Sequence, residues 1–75
     1  MTDRTLDASG LRCPMPLLKT KLALSELSAG DRLEVIATDA GSRRDIPAWL
    51  DLSPHRLVSQ DESDGAFRFV IECGG

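Results

Sequence analysis

Apolar and polar residues alternate in two segments of the chain, which is typical of half-buried β-strands. In residues 33–38, Leu33, Val35 and Ala37 share one face. Residues 67–73 alternate in the same way, and four side chains share one face there: Phe67, Phe69, Ile71 and Cys73. With shorter strand-like segments at residues 5–8 and 56–60, the pattern predicts four strands.

Residues 61–65 separate the last two predicted strands and end in Asp64-Gly65. An Asp-Gly pair between two strands favours a tight hairpin, because both residues tolerate a positive φ. We therefore expect the last two strands to pair in the antiparallel direction.

Helical spacing of apolar residues follows the first strand, at Met15, Leu18 and Leu22. Pro14 and Pro16 lie at its start, and prolines are tolerated in the first turn of a helix, where their missing amide hydrogens cost little. The pattern predicts a helix whose first residue is Pro14, with Cys13 as the N-cap residue and Gly30 as a C-cap residue.

A second helix is predicted between the strand at residues 33–38 and the final hairpin. Ser42 and Asp45 have the spacing of a capping box. Pro47 removes one backbone hydrogen bond, so we expect only about two to three turns. An apolar stripe at i, i+3 and i+4 is predicted to face the core: Ile46, Trp49 and Leu50.

The predicted element order is β-α-β-α-β-β. This order fits the α+β class as a two-layer α/β sandwich, in which both helices cover one face of a four-stranded mixed sheet. The first β-α-β connection is expected to be right-handed. At 75 residues, with 41% hydrophobic and 28% charged side chains, the chain is expected to form a single domain over residues 1–75.

Charge and hydropathy exclude several classes of protein. The net charge is −3, which argues against general affinity for nucleic acid. No apolar run approaches the ~20 residues of a membrane span, and no apolar segment of a signal peptide follows the first residues. We therefore expect a cytoplasmic protein that acts as a monomer, without contact to membranes.

Two cysteines and one histidine, His55, are too few for a disulfide scaffold or a four-ligand zinc site, so neither a metal nor a cofactor is expected. Cys13 is the candidate reactive residue. The dipole of the helix and the neighbouring Arg12 should lower its thiol pKa. Because Pro14 and Pro16 lack amide hydrogens, the sulfur should project from a stiff, exposed helix end, which suits exchange with the sulfur atoms of other proteins.

Residues 6–16, which contain Cys13-Pro14-Met15-Pro16, resemble the signature of the TusA/SirA family of small sulfur carriers. Residues 39–49, which end in Asp-Ile-Pro-Ala-Trp, are similar to a second block of that family. The resemblance covers nearly the whole chain and implies the fold predicted above. It also implies a catalytic Cys13 that holds a persulfide, with four supporting residues: Gly10, Arg12, Pro14 and Pro16.

The same resemblance implies two kinds of partner and no cofactor. A cysteine desulfurase or a rhodanese-like donor loads the carrier, and a downstream relay protein unloads it. In relatives the sulfur reaches tRNA thiolation, molybdenum-cofactor pathways or sulfur oxidation. Such a protein is as much a substrate of its partners as an enzyme, so the label sulfurtransferase stays open.

Two positions depart from the family pattern. Many relatives carry a cysteine where Leu50 stands, which weakens any disulfide role in that region. Cys73 is outside the signature and is expected to be a small buried apolar residue. Purely structural roles are expected for three other residues: Asp45 as a helix-capping residue, His55 as a surface loop residue and Trp49 as a core residue.

Basic residues give a candidate docking surface. Residues 1–25 carry four basic and two acidic side chains, whereas residues 26–75 carry five and ten. Four cations around the helix ends form either a basic rim for partner docking or ordinary solvated charge: Lys19, Lys21, Arg43 and Arg44.

Two other functions stay open. The terminal Gly74-Gly75 is similar to the tail of ubiquitin-like carriers, which hold sulfur as a C-terminal thiocarboxylate after adenylation. A non-catalytic regulatory module would instead use the acidic surface of residues 26–75 and would not need Cys13.

Overall fold

The structure is a computed structural model that describes residues 3–74. Its six elements follow the predicted order: β1 (Arg4–Ala8), α1 (Met15–Ser25), β2 (Arg32–Ala37), α2 (Ser42–Asp51), β3 (Arg56–Ser63) and β4 (Ala66–Glu72). The predicted fold class is confirmed. No helix in the described part of the chain has the length and apolarity needed to cross a membrane.

The four strands form one mixed sheet with the order β1-β2-β4-β3. β1 and β2 are parallel, and Ala8 pairs with Ala37 at the carboxyl end of both strands. β4 lies antiparallel to β2 on one side and to β3 on the other. Because β1 and β2 are parallel, the segments that leave them start at the same edge of the sheet.

The core lies between one face of the sheet and the two helices. Side chains that alternate along β2 and β4 point to this face and are directly opposite each other in pairs: Leu33 with Ile71, Val35 with Phe69, and Ala37 with Phe67. Leu24 of α1 and Ile46 and Leu50 of α2 complete the buried cluster. The alternation in the sequence therefore predicted the inward faces of both central strands correctly.

The predicted caps of both helices differ from those in the structure. α1 begins at Met15, so Pro14 is the N-cap residue and Cys13 precedes the cap. Its C-cap is Glu26, so the prediction of Gly30 is wrong. Although α2 begins at Ser42, its N-cap is Gly41 and no side chain caps it. The predicted Ser42–Asp45 capping box is therefore not formed, and Asp45 has a different partner.

The apolar stripe predicted on α1 faces outward. Met15, Leu18 and Leu22 are exposed, whereas the buried row of the helix contains Pro16, Thr20, Ala23 and Leu24. Buried Thr20 donates its hydroxyl hydrogen to the carbonyl of Pro16 at 2.8 Å, so burial leaves no polar atom of Thr20 unpaired. Apolar residues lie on all sides of α1, so the helical spacing alone could not identify the buried row.

The closing hairpin is tighter than predicted. β3 extends to Ser63, and only Asp64 and Gly65 form the turn, with φ angles of 52° and 79°. Two consecutive residues with positive φ match the twist of a two-residue hairpin. Polar residues 61–63 pair with β4 through backbone hydrogen bonds, which do not depend on apolar side chains. The side chains of these three residues are exposed, as is common on an edge strand.

Side chains near the end of the chain also pack closely. Cys73 is buried, as predicted. His55 is half-buried, with its ring centroid 5.7 Å from that of Trp49. His55 lies in the loop between α2 and β3, as expected, and its Nδ1 accepts a hydrogen bond from the Gly74 amide at 3.0 Å.

Two leucines of α1 give a matched test of the observed burial. Leu24→Ala should lower the free energy of unfolding by about 2–5 kcal/mol, because it leaves a cavity in the core. Leu22 is 61% exposed, so Leu22→Ala should change that free energy by less than about 0.5 kcal/mol. Urea unfolding of both variants measures the difference. A larger loss for Leu22→Ala would mean that the helix is rotated relative to this structure.

Candidate functional site

The candidate site is built from two loops at one edge of the sheet. The first loop follows β1 and leads into α1, and the second follows β2 and leads into α2. The amide of Gly10 in the first loop donates to the hydroxyl oxygen of Thr38 in the second, at 2.9 Å. This hydrogen bond joins the loops directly after the parallel strands end.

The turn after β1 needs glycine at residue 10. Gly10 has a φ of +80°, a left-handed conformation that other residues adopt only with strain. Leu11 donates its amide hydrogen back to the carbonyl of Ala8 at 3.2 Å, which closes the turn. Asp7 accepts hydrogen bonds from the side chain and the amide of Ser9, and these lower the pKa of Asp7. Gly10 therefore acts through its backbone conformation in the loop that leads to Cys13.

Cys13 lies at the end of the first loop and is exposed to solvent. The Cys13–Pro14 peptide bond is cis. The amide of Met15 donates to the carbonyl of Arg12 at 2.8 Å, so it is occupied within the chain turn. The sulfur therefore finds its partner in another element of the fold.

That partner is Asp45. The thiol of Cys13 donates a hydrogen bond to Asp45 Oδ2, with the sulfur and the oxygen 3.1 Å apart. Asp45 lies in the first turn of α2, and its own amide donates to the carbonyl of Gly41 at 2.9 Å. The contact joins residues that are 32 positions apart, so no local sequence pattern predicts it.

Gly41 leaves space for this contact. A methyl group at residue 41 would lie 2.9 Å from Asp39 Oδ2 and 3.5 Å from the Cβ of Cys13. Asp39 Oδ2 also accepts the amide hydrogen of Gly41 at 3.0 Å. The sequence indicated only a turn at residues 39–42 and a capping role for Asp45. The similarity of residues 39–49 to a family block was the available signal for this region.

The acidic neighbours determine the electrostatics of the thiol. The hydrogen bond to Asp45 raises the pKa of Cys13 above its ordinary value, and desolvation and the negative charges of Asp45 and Asp39 act in the same direction. The predicted lowering of this pKa by the helix dipole and Arg12 is therefore wrong. The helix begins two residues after Cys13, whereas the Asp45 carboxylate is hydrogen-bonded directly to the sulfur, so the carboxylate outweighs the dipole.

Pro16 has a role that the sequence did not indicate. Its ring is fully buried in the row of α1 that faces the sheet. Pro14, by contrast, is exposed beside Cys13. Pro16 therefore holds the start of the helix against the sheet, in addition to omitting an amide from the first turn.

The basic residues are only partly brought together. Arg43 and Arg44 start α2 at the same edge as Cys13, and Arg43 lies 3.8 Å from Glu62 of β3. The Lys21 ammonium lies 5.3 Å from the ring centroid of Trp49. Residue 21 is about 9 Å along α1 from the first residue of the helix. Arg12 and Lys19 are exposed. The described residues thus place Arg43 and Arg44 at the edge of the site, while exposed Lys21 lies over the ring of Trp49.

Metal ligation has no candidate within residues 3–74. No group of three or more histidine, cysteine, aspartate or glutamate side chains is arranged there to hold a metal ion. The two free cysteines are in different environments, since Cys13 is exposed and Cys73 is buried.

Comparison with known proteins gives close matches. A family model described as Sulfurtransferase TusA matches residues 4–73. The chain is 44% identical over 70 residues to the sulfur carrier protein TusA of Allochromatium vinosum, across 93% of this chain and 92% of that protein. It is 45% identical over 69 residues to the sulfur carrier protein TusA of Pseudomonas entomophila, across 92% of this chain and 86% of that protein.

Solved structures show the same architecture. The crystal structure of the SirA-like protein from Desulfitobacterium hafniense matches with a TM-score of 0.83 and 30% sequence identity. The match covers 96% of this chain and 99% of that chain. A mixed sheet covered by two helices, with Cys-Pro-x-Pro before the first helix, thus defines a small protein of the TusA/SirA class. The chain belongs to the TusA family, and the resemblance found in the sequence is confirmed.

The buried ring of Pro16 leads to a stability prediction. Pro16→Ala should lower the free energy of unfolding by about 1–2 kcal/mol, because two buried methylene groups are lost and the unfolded chain gains freedom. Pro54 is exposed, so Pro54→Ala should cost less than about 1 kcal/mol. Chemical denaturation of the two variants gives the comparison. Equal losses would show that the burial of Pro16 contributes nothing to stability.

Proposed function

We propose that this protein is a sulfur carrier that accepts sulfane sulfur as a persulfide on Cys13 and passes it to a downstream acceptor. The observation that carries the proposal is the exposed thiol of Cys13 in the Cys-Pro-x-Pro segment, held at the sheet edge by two joined loops. An exposed sulfur at the end of a short loop is accessible to the sulfur atoms of other proteins. The membership of this chain in the TusA family supports the same role.

The loading step exchanges sulfur between two cysteines. The Cys13 thiolate attacks the outer sulfur of a donor persulfide, so a new S–S bond forms on Cys13 while the S–S bond of the donor breaks. The donor cysteine leaves as a thiolate and takes up the proton that Cys13 gave up. The Cys13 sulfur is oxidised as the donor cysteine sulfur is reduced, so no external oxidant is needed.

Unloading follows the same chemistry in the other direction. A thiolate of the acceptor attacks the outer sulfur, and Cys13 leaves as a thiolate that is protonated again. We infer that the donor is a cysteine desulfurase or a rhodanese-like protein and that the acceptor is a relay protein. The sulfur then enters tRNA thiolation, a molybdenum-cofactor pathway or sulfur oxidation.

The thiocarboxylate alternative has less support. Ubiquitin-like carriers of that kind have the element order β-β-α-β-β, whereas this chain has β-α-β-α-β-β. The amide of Gly74 is bonded to His55, and any side chain at residue 74 would collide with the carbonyl of Pro54. These contacts explain why residue 74 is glycine without a thiocarboxylate mechanism, which would require adenylation of the chain end.

Cys13→Ser should abolish sulfur loading. The purified chain is mixed with a cysteine desulfurase and cysteine, and intact mass spectrometry should show the gain of one sulfur atom in the unsubstituted protein only. Alkylation and peptide mapping should place that sulfur on Cys13, because its thiol is exposed while Cys73 is buried. Cys73→Ser is the matched control and should still be loaded.

Two outcomes separate the alternatives. Sulfur found mainly on Cys73 would contradict the proposed carrier site. Loading that persists in Cys13→Ser but disappears when Gly74 and Gly75 are deleted would indicate the thiocarboxylate mechanism. Full biological activity of Cys13→Ser would instead support a regulatory module.

Partner docking is proposed to use Arg43 and Arg44 together with Arg12 and Lys19. Arg12 precedes Cys13 in the chain, Lys19 is in α1, and Arg43 and Arg44 are in the first turn of α2, so together they would attract an acidic partner surface. Such attraction mainly raises the rate of association and weakens with salt, because screening acts over about 8 Å at physiological ionic strength.

Arg43→Glu combined with Arg44→Glu should therefore slow loading by the donor by about threefold or more at low salt. The matched control is Arg4→Glu with Arg56→Glu, which makes the same change in charge at the opposite ends of the strands. That control should load at nearly the original rate. Loading that is insensitive to both salt and the Arg43/Arg44 variant would exclude the basic rim.

A further inference from the structure

We propose that Asp45 is a positioning residue for sulfur exchange, because it holds the proton of the empty Cys13 thiol and so restrains that sulfur while the carrier is free. The proposal deepens the proposed function and rests on Cys13 being the carrier site. It concerns a residue that the sequence suggested only as a helix cap. Three observations support it: the hydrogen bond, the fixed position of Asp45 and the charges around the sulfur.

The hydrogen bond has only one possible donor. A carboxylate only accepts hydrogen bonds, so the hydrogen between Cys13 Sγ and Asp45 Oδ2 must come from the thiol. If Cys13 loses this proton, two negative groups face each other at 3.1 Å. The contact is therefore favourable for the thiol and unfavourable for the thiolate, which is the form that reacts.

Asp45 is held in position by the start of α2. Its amide is bonded to the carbonyl of Gly41, and Gly41 packs against Cys13 without a side chain between them. Asp45 is only partly exposed, whereas Cys13 is exposed. A short side chain on the first turn of a helix has little freedom to turn away from the sulfur.

The other charges near the sulfur act in the same direction. Asp39, from the loop after β2, adds a second negative charge, and both carboxylates raise the pKa of Cys13. Asp7 of β1 is bonded to Ser9 instead. The first turn of α1 contributes no acidic residue, and Arg12 is the exposed chain neighbour of the thiol.

Loading removes the hydrogen that makes this contact. When the donor's outer sulfur binds to Cys13, the proton of the thiol passes to the departing donor thiolate and Sγ carries an S–S bond in its place. Asp45 then faces a sulfur without hydrogen, and the outer sulfur lies about 2 Å farther along the new bond. When the acceptor takes that sulfur, Cys13 regains a proton and the contact with Asp45 forms again. The hydrogen bond therefore exists in the empty carrier and is lost in the loaded one.

The test is the pH dependence of Cys13 alkylation by iodoacetamide in the full, empty chain, with mass mapping to follow Cys13 alone. Asp45→Asn should shift the whole profile to lower pH and raise the rate near neutral pH by about threefold or more, because the charge that opposes the thiolate is removed. At high pH, where both proteins are fully ionised, the variant should react no faster, since nucleophilicity falls with thiol pKa.

Two matched variants separate this effect from simple charge removal. Asp39→Asn should shift the profile in the same direction but less, because Asp39 acts only through its charge. Asp51→Asn removes the same charge from the exposed last residue of α2 and should leave the profile unchanged. Circular dichroism and urea unfolding verify that each variant folds.

The proposal would be overturned if the pH profile of Cys13 alkylation were the same in Asp45→Asn and in the unsubstituted protein. An equal change of rate at every pH would also overturn it, because that result indicates altered access and not altered ionisation. If Asp45→Asn does not fold, Asp45→Ser, which also removes the carboxylate, takes its place, and an unshifted profile in that variant counts against the proposal. Failure of persulfide loading on Cys13 would instead reject the carrier function, because alkylation of the empty chain requires no sulfur donor.

Discussion

The parallel pairing of β1 with β2 is the constraint on which the candidate site depends. Parallel strands end at the same edge of a sheet, so the segments that follow Ala8 and Ala37 leave side by side. One of these segments carries Cys13 and the other carries Asp39 and Asp45. The hydrogen bond from Gly10 to Thr38 joins them before either helix begins. If β1 were paired in the antiparallel direction, the thiol and the carboxylate would lie at opposite edges.

This arrangement gives an exposed cysteine whose surroundings favour the protonated thiol over the thiolate. Exposure allows a partner to reach the sulfur, while the two carboxylates oppose formation of the thiolate. A helix N-terminus near a cysteine is commonly associated with a reactive thiolate. Here the adjacent carboxylates outweigh the helix dipole, because a hydrogen-bonded charge at 3.1 Å acts more strongly than the partial charge of a helix that begins two residues later. For a carrier, such a restrained thiol would limit reactions with small electrophiles between partners.

The sequence predicted the element order and the inward faces of β2 and β4, because alternation in half-buried strands follows directly from burial. It could not predict which row of α1 is buried, because apolar residues such as Leu22 lie on the outer side as well. The prediction ended β3 too early. An edge strand is held by backbone hydrogen bonds, and a run of polar side chains does not indicate those bonds. The TusA/SirA resemblance identified the family and the candidate Cys13.

The electrostatics of the site required the structure. Cys13 and Asp45 are 32 residues apart, and only the register of two parallel strands brings them into contact. Local reasoning assigned Cys13 to a helix cap and Asp45 to a capping box, and it therefore gave the wrong direction for the thiol pKa. The buried Pro16 was missed for a related reason, since a proline near a helix start has a local explanation that hides its contact with the sheet.

The most direct test of this account is an NMR titration of the Cys13 Cβ resonance in the unsubstituted, empty chain. The reference is the same resonance in the chain unfolded in urea. The account predicts that the folded protein titrates at higher pH than the unfolded chain, because the Cys13 thiol donates its hydrogen to Asp45 and the charges of Asp45 and Asp39 oppose the thiolate. A folded-state titration at lower pH would contradict the account and would show that the helix dipole, and not the carboxylate, controls the sulfur.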